Sequence, residues 1–153
     1  MENAKAVTVA GVMTKSVISV DSSMTINETA KMMEDAKVGA VIIMENNTPI
    51  GIVTDRDFAV KVAAHAYEIS SPIRRIMSSP LLSINSDESV RNAADLMHER
   101  GIRKLPVLSD DKVVGMITAT DIVNLLAVCV EEDMRDMYFH SVAKIFTNYS
   151  PYN

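Results

Sequence analysis

A stretch from about Thr8 to Phe58 returns, without a gap, 64 positions later from Pro72 to Ile122. Met13 falls on Met77, Ser19 on Ser83, Ala30 on Ala94, Met33 on Met97, Gly51 on Gly115, Thr54 on Thr118 and Asp57 on Asp121. Agreement is densest at the end of each copy, where Gly51-Ile-Val-Thr54-Asp-Arg-Asp57 faces Gly115-Met-Ile-Thr118-Ala-Thr-Asp121. A duplication of this size predicts two pseudo-symmetric half-structures around a shared core. A chain of 153 residues is long enough for one compact module burying roughly 70% of its unfolded surface, and too short for two large independent domains.

Each copy carries the same succession of patterns. A short leader (Val9 to Met13; Ile73 to Met77) precedes a small strand, Val17-Ile18-Ser19-Val20 or Leu81-Leu82-Ser83-Ile84. Ile26, Ala30 and Met33, and likewise Val90, Ala94 and Met97, then recur at the spacing of one face of a helix. Thr25 with Glu28 has the spacing of a capping box, and Ser89 can cap the second of these helices. Ala40 to Met44 with Ile50 to Val53, and Leu105 to Leu108 with Val113 to Ile117, read as antiparallel hairpins across turn-forming separators. A second helix follows each hairpin, carrying Phe58, Val60 and Val62 or Ile122, Leu125 and Leu126.

The expected architecture is therefore mixed α/β, with strand, helix, strand, strand, helix given twice. We place the first repeat at residues 8–68, the second at 72–126 and a helical tail at 127–153. In the tail Val130, Met134, Met137, Tyr138, Val142 and Ile145 mark an apolar stripe, opposite Glu131, Glu132, Asp133, Arg135 and Asp136. Such a helix either covers a groove of its own chain or pairs with another molecule.

Composition narrows the function. A net charge of −5 argues against general nucleic-acid binding. Arg91, Arg100, Arg103 and Lys104 form the densest basic patch, either a solvated face or a local anion site. A single cysteine, Cys129, excludes an internal disulfide framework and fits a reducing compartment. Neither the first residues, Met1 to Lys5, nor the longest apolar runs have the form of a signal peptide or a membrane span, so a soluble, cytoplasmic protein is expected. His65, His98 and His140 are scattered at spacings that suit neither a metal nor a nucleophile pair, so intrinsic catalysis is not expected. Eleven methionines predict a soft, adaptable core.

The strand-to-helix junction of each copy admits two readings. Thr at the N-cap with Asp three residues on is a complete account of a helix start. The same groups suit a nucleotide: helix amides, Thr hydroxyl and Arg56 for phosphate, with Asp57 or Asp121 to accept both hydroxyls of a vicinal diol. The Gly preceding each pair lets backbone come close to a ligand.

The stretch Met97-His-Glu-Arg-Gly101-Ile-Arg103-Lys-Leu-Pro106-Val-Leu-Ser-Asp-Asp-Lys-Val-Val-Gly115-Met-Ile-Thr118-Ala-Thr-Asp121-Ile resembles a cystathionine-beta-synthase (CBS) domain, and Val38 to Phe58 resembles a second. Together, up to about Leu126, they resemble a tandem CBS pair, or Bateman module. The resemblance implies a regulatory fold that takes an adenosine-containing effector (AMP, ADP, ATP or S-adenosylmethionine) in clefts between the repeats. It implies that Asp57 and Asp121 hold ribose hydroxyls, Thr54 and Thr118 contact ribose or phosphate, and Arg56 meets phosphate, with Thr120 in its place in the second copy. Val17, Ile18, Leu81, Leu82, Ile102, Arg103 and Pro106 would flank the base. It further implies a homodimer whose regulated enzyme or transporter is a separate polypeptide. An assembly module with vestigial clefts is the alternative.

Overall fold

The computed structural model describes residues 7–129 and 132–147. Of the tail positions read from the sequence, Val130 and Glu131 lie outside the described residues, as do Met1 to Lys5. The chain divides into two compact units, one formed by Val17–Leu82 and the other by residues up to Ser16 together with those from Ser83 onward.

In the 17–82 unit, β1 (Ser19–Asp21), α1 (Ile26–Ala36), β2 (Ala40–Glu45) and β3 (Thr48–Thr54) lead into α2 (Asp55–Asp57), which continues as a π-helical segment, Phe58–Ala64. Its sheet has the order β1-β2-β3, with β1 parallel and β3 antiparallel to β2. In the other unit, β4 (Ile84–Asn85), α3 (Val90–Arg100), β5 (Lys104–Ser109), β6 (Lys112–Thr118) and α4 (Ala119–Val128) repeat the order and pairing, and α5 (Glu132–Thr147) follows.

The capping signals act where the sequence places them. Thr25 Oγ1 accepts from the Glu28 amide at 3.2 Å, while Glu28 Oε2 accepts from the Thr25 amide at 3.0 Å. The Thr25 hydroxyl, which also donates to Glu28 Oε2 at 2.7 Å, and the Thr25 amide hold the Glu28 carboxyl below its ordinary range. Ser89 accepts from the Asn92 amide at 3.0 Å to start α3. Ile26, Thr29 and Met33 face inward on α1, the Thr29 hydroxyl being satisfied by the Thr25 carbonyl at 2.9 Å. Val90, Ala93, Ala94 and Met97 do the same on α3. In the 17–82 unit Val20, Ile26, Met33, Val41, Ile43, Val53, Ile73 and Ile76 form one buried cluster.

Both hairpins close through two residues with positive φ, Asn46 (49°) with Asn47 (61°) and Asp110 (50°) with Asp111 (60°). Asn and Asp tolerate this left-handed region, and the pair of positive φ values matches the twist of the strands. The turns are thus shorter than the sequence separators suggest, and Pro49 lies inside β3. The first strand of each repeat falls later than the apolar pattern indicates, because a strand is defined by its partner. Pairing in the first repeat starts at Ser19 with Ile42, and Val17 and Ile18 lie before it. In the second, only Ile84 and Asn85 pair, and Leu81 and Leu82 lie before them.

The leaders change sides. Thr14 bridges to Met116 of β6, and the Val9 amide donates to the Glu88 carbonyl at 2.8 Å, so the N-terminal leader completes the unit that contains the second repeat. Ser78 bridges to Ile52 of β3, so the leader of the second repeat completes the 17–82 unit. Each contact needs a missing side chain. A β-carbon on Gly115 would lie 2.5 Å from Met13 Sδ and 2.9 Å from the Thr14 carbonyl oxygen; on Gly51 it would lie 2.8 Å from both Met77 Sδ and the Ser78 carbonyl oxygen. The close approach read from these glycines as room for a ligand is taken up by the chain's own leaders.

Of the two uses left open for the tail, covering its own chain is what the structure shows. α5 packs on α3 and α4, burying Tyr138, Ser141 and Ile145. Lys144 Nζ reaches Asp95 Oδ1 at 2.7 Å, and His98 Nδ1 donates to the Lys144 carbonyl at 2.7 Å. Phe139 remains 59% exposed and Val60, on the π-helical segment, 40%. Cys129 is half-buried. The Tyr138 ring is fully enclosed, and its hydroxyl finds no hydrogen-bond partner among the described residues. Burial first, and Cys129 second, push its phenol above the ordinary value.

Two measurements check this account. Gly115→Ala displaces Met13 and the Thr14 backbone and is expected to lower stability by about 1–3 kcal/mol in urea unfolding, the usual cost of overpacking. The unfolded phenol ionises near pH 10 and the folded one higher, so the unfolded state binds fewer protons there and stability falls as pH rises through about 10. Tyr138→Phe is expected to keep stability at neutral pH within about 1 kcal/mol and to make that alkaline fall shallower.

Candidate functional site

The two strand-to-helix junctions are built alike. At the end of β6, Thr118 is extended (φ −122°, ψ 161°) and α4 starts directly after it. Asp121 Oδ2 accepts from the Thr118 amide and the Thr118 hydroxyl, each at 2.8 Å, and Thr118 Oγ1 accepts from the Asp121 amide at 3.2 Å. At the end of β3, Asp57 Oδ2 accepts from the Thr54 amide at 2.8 Å and the Thr54 hydroxyl at 3.1 Å. In each case the carboxylate is half-buried and fixed through one oxygen.

The second oxygen distinguishes the copies. Asp57 Oδ1 pairs with Lys61 Nζ at 3.1 Å, and the same ammonium donates to the Ile76 carbonyl. Asp121 Oδ1 meets no donor among the described residues. Lys61 stands four residues after Asp57, the spacing at which opposite charges meet on a helix, and Leu125 holds the corresponding place in the second repeat. The sequence carries this difference four residues after each Asp, apart from the difference between Arg56 and Thr120.

Arg56 and Thr120 are both exposed, and the Arg56 amide donates to Asp55 Oδ1 at 3.0 Å. Val17 and Ile18 are half-buried; the Ile18 carbonyl accepts from the Ile42 amide at 2.9 Å. Because β1 runs parallel to β2 and Ala40 pairs with Thr54, Val17 and Ile18 enter the sheet at the end where Thr54 leaves it. Leu81 and Leu82 are half-buried at the close of the 17–82 unit.

In the other unit, the Arg103 carbonyl accepts from the Ala119 amide at 2.9 Å, and Lys104 pairs with Thr118. Ile102 and Arg103 thus sit beside the start of α4, and Pro106 is buried in β5 opposite Met116. The Arg103 guanidinium lies 4.6 Å from the centre of the Phe146 ring on α5, so the tail already contacts a side chain read as flanking a base. Arg91 and Arg100 are exposed. An open groove of about 280 Å³, lined by Ser83, Ile84, Asn85, Glu88, Asn92 and Leu96, contains none of the expected site residues. Among the described residues, no three His, Cys, Asp or Glu side chains gather to hold a metal, and no helix is long and apolar enough to cross a membrane.

Fold and junctions together define a duplicated α/β module with one Thr–Asp pair per copy. The CBS domain family matches residues 9–64 and 73–128, and the chain belongs to that family, as a tandem pair. An uncharacterized protein of Methanopyrus kandleri is 35% identical over 137 residues, which cover 86% of this chain and 70% of the relative. A CBS domain-containing protein of Bacillus subtilis is 34% identical over 110 residues, covering 72% of this chain and 79% of its own. A CBS domain pair solved in complex with 5′-methylthioadenosine and S-adenosyl-L-methionine is similar with a TM-score of 0.72 at 27% identity, covering 80% of this chain and 97% of that one.

Removing the Thr118 side chain takes the acceptor from the Asp121 amide and one of two donors from the Asp121 carboxylate, which keeps the bond from the amide of residue 118. Thr118→Ala is expected to cost about 1 kcal/mol in denaturant unfolding, and Thr118→Ser to recover most of it.

Proposed function

We propose that this chain is a regulatory module that binds an adenosine-containing ligand and signals to a separate partner through ligand-dependent repacking. The observation that carries the reading is the Asp121 carboxylate, fixed through one oxygen by Thr118 while its other oxygen meets no donor among the described residues. A carboxylate held in this way is preorganised to accept the hydroxyls of a ribose. Support also comes from the related CBS pair solved with two adenosine compounds.

In this reading Asp57 and Asp121 supply the carboxylates, Thr54 and Thr118 contact ribose or phosphate, and Arg56 serves phosphate with Thr120 as its neutral counterpart. Val17, Ile18, Leu81, Leu82, Ile102, Arg103 and Pro106 flank the base. AMP, ADP, ATP and S-adenosylmethionine are the candidate effectors, acting on a cytoplasmic homodimer without catalysis of its own. A ligand shifts such a module only by its difference in affinity between two arrangements, so the partner must read a change in packing. Contact of Arg103 with Phe146 ties α5 to one of the residues that flank the base in this reading.

The alternative is an assembly module, favoured by the fact that capping alone accounts for each Thr–Asp pair. A thermal-shift screen with AMP, ADP, ATP, S-adenosylmethionine and 5′-methylthioadenosine separates the two. A ligand at about 100 times its dissociation constant is expected to add about 2.7 kcal/mol of stability. Absence of a shift with every compound would leave the assembly reading.

A further inference from the structure

We infer that Lys61 makes the two repeats chemically unequal, so that only the second repeat accepts a vicinal diol, at Asp121. The inference rests on the proposed adenosine ligand and narrows it. A carboxylate offers about four acceptor positions, two on each oxygen. In both repeats the Thr amide and hydroxyl occupy one oxygen. Asp121 thus keeps a whole oxygen for the two hydroxyls of a diol.

Asp57 does not. Its Oδ1 holds the Lys61 ammonium at 3.1 Å, and that ammonium is anchored a second time by the Ile76 carbonyl. The pair is sheltered, with the Asp57 side chain 14% and the Lys61 side chain 31% exposed, so solvent screens it less than a surface pair. A diol hydroxyl on that carboxylate would also make a charge-assisted bond, but in taking the ammonium's place it would give up the attraction of opposite charges in this sheltered pair. Exchanging it would also strip the Ile76 carbonyl of its donor. Leu125, in the corresponding place of the second repeat, supplies no donor at all.

The probe is 5′-methylthioadenosine, an uncharged nucleoside without phosphate that keeps both ribose hydroxyls, titrated by calorimetry into the full chain. The parent protein is expected to bind one molecule per chain, and Asp121→Asn to weaken that site at least about tenfold, a loss of about 1.4 kcal/mol. Lys61→Leu, which copies the second repeat, is expected to bring a second site per chain, and Asp57→Asn added to Lys61→Leu to remove it again. Lys61→Arg, which keeps a donor at the same place, guards against loss of fold and is expected to stay at one site. Two equivalent sites in the parent, or one site in a folded Lys61→Leu variant, would overturn the inference while leaving the adenosine reading standing. Failure of the probe to bind any variant, Lys61→Leu included, would overturn this inference, and failure of AMP, ADP, ATP and S-adenosylmethionine to bind as well would overturn the adenosine reading with it.

Discussion

The structure depends on two places where a side chain is missing. Each sheet admits an additional stretch of chain only because Gly51 or Gly115 opens a path beside the hairpin. Each glycine follows an irregularity in the β-ladder, between Ile43 and Met44 or between Val107 and Leu108. A methionine, Met77 or Met13, then lies in the space a β-carbon would take. An unbranched thioether suits that slot because it adapts to an irregular gap better than a branched side chain. Thr54 and Thr118 end the same strands, so anything that moves the leaders also bears on the strands that position the two carboxylates.

Much of this was legible in the sequence. The capping box at Thr25, the cap at Ser89 and the Thr–Asp pairs join residues within four positions of each other, and both hairpins follow from turn residues between strands that adjoin in the chain. What failed to show in the sequence was nonlocal. Periodicity cannot distinguish a strand from an apolar run that lacks a partner, hence the late start of β1 and β4. An apolar stripe does not name its groove, so the docking of α5 on α3 and α4 had to come from the structure. Lys61 lies between these cases. Its spacing from Asp57 was readable, but its second anchor, the Ile76 carbonyl 15 residues away, was not.

Duplication explains why the copies look alike and also where they are free to differ. The Thr–Asp pair is tied to a helix start in each copy, so both copies need it for local structure. The position four residues later carries no such duty, and there the copies hold a cation and a leucine. The same division appears at the helix ends, where α3 stops at Gly101 with φ 62° and α1 stops at Lys37 with φ 54°. A left-handed residue is needed in both places, but only one copy meets the need with glycine.

The exchange of leaders gives the chain a nested connectivity. One unit is a continuous piece, 17–82, inserted into another whose two parts flank it. During synthesis the inner unit has all its residues as soon as Leu82 has emerged, whereas the outer one must wait for residues beyond Met116 before Thr14 has a strand to join. Domains tend to fold as units as the chain emerges, so this leader is made before the inner unit yet finds its strand only after it. Until then Val9 and Met13 are apolar groups without the partners they have in the folded unit, and this leader needs shielding in the nascent chain.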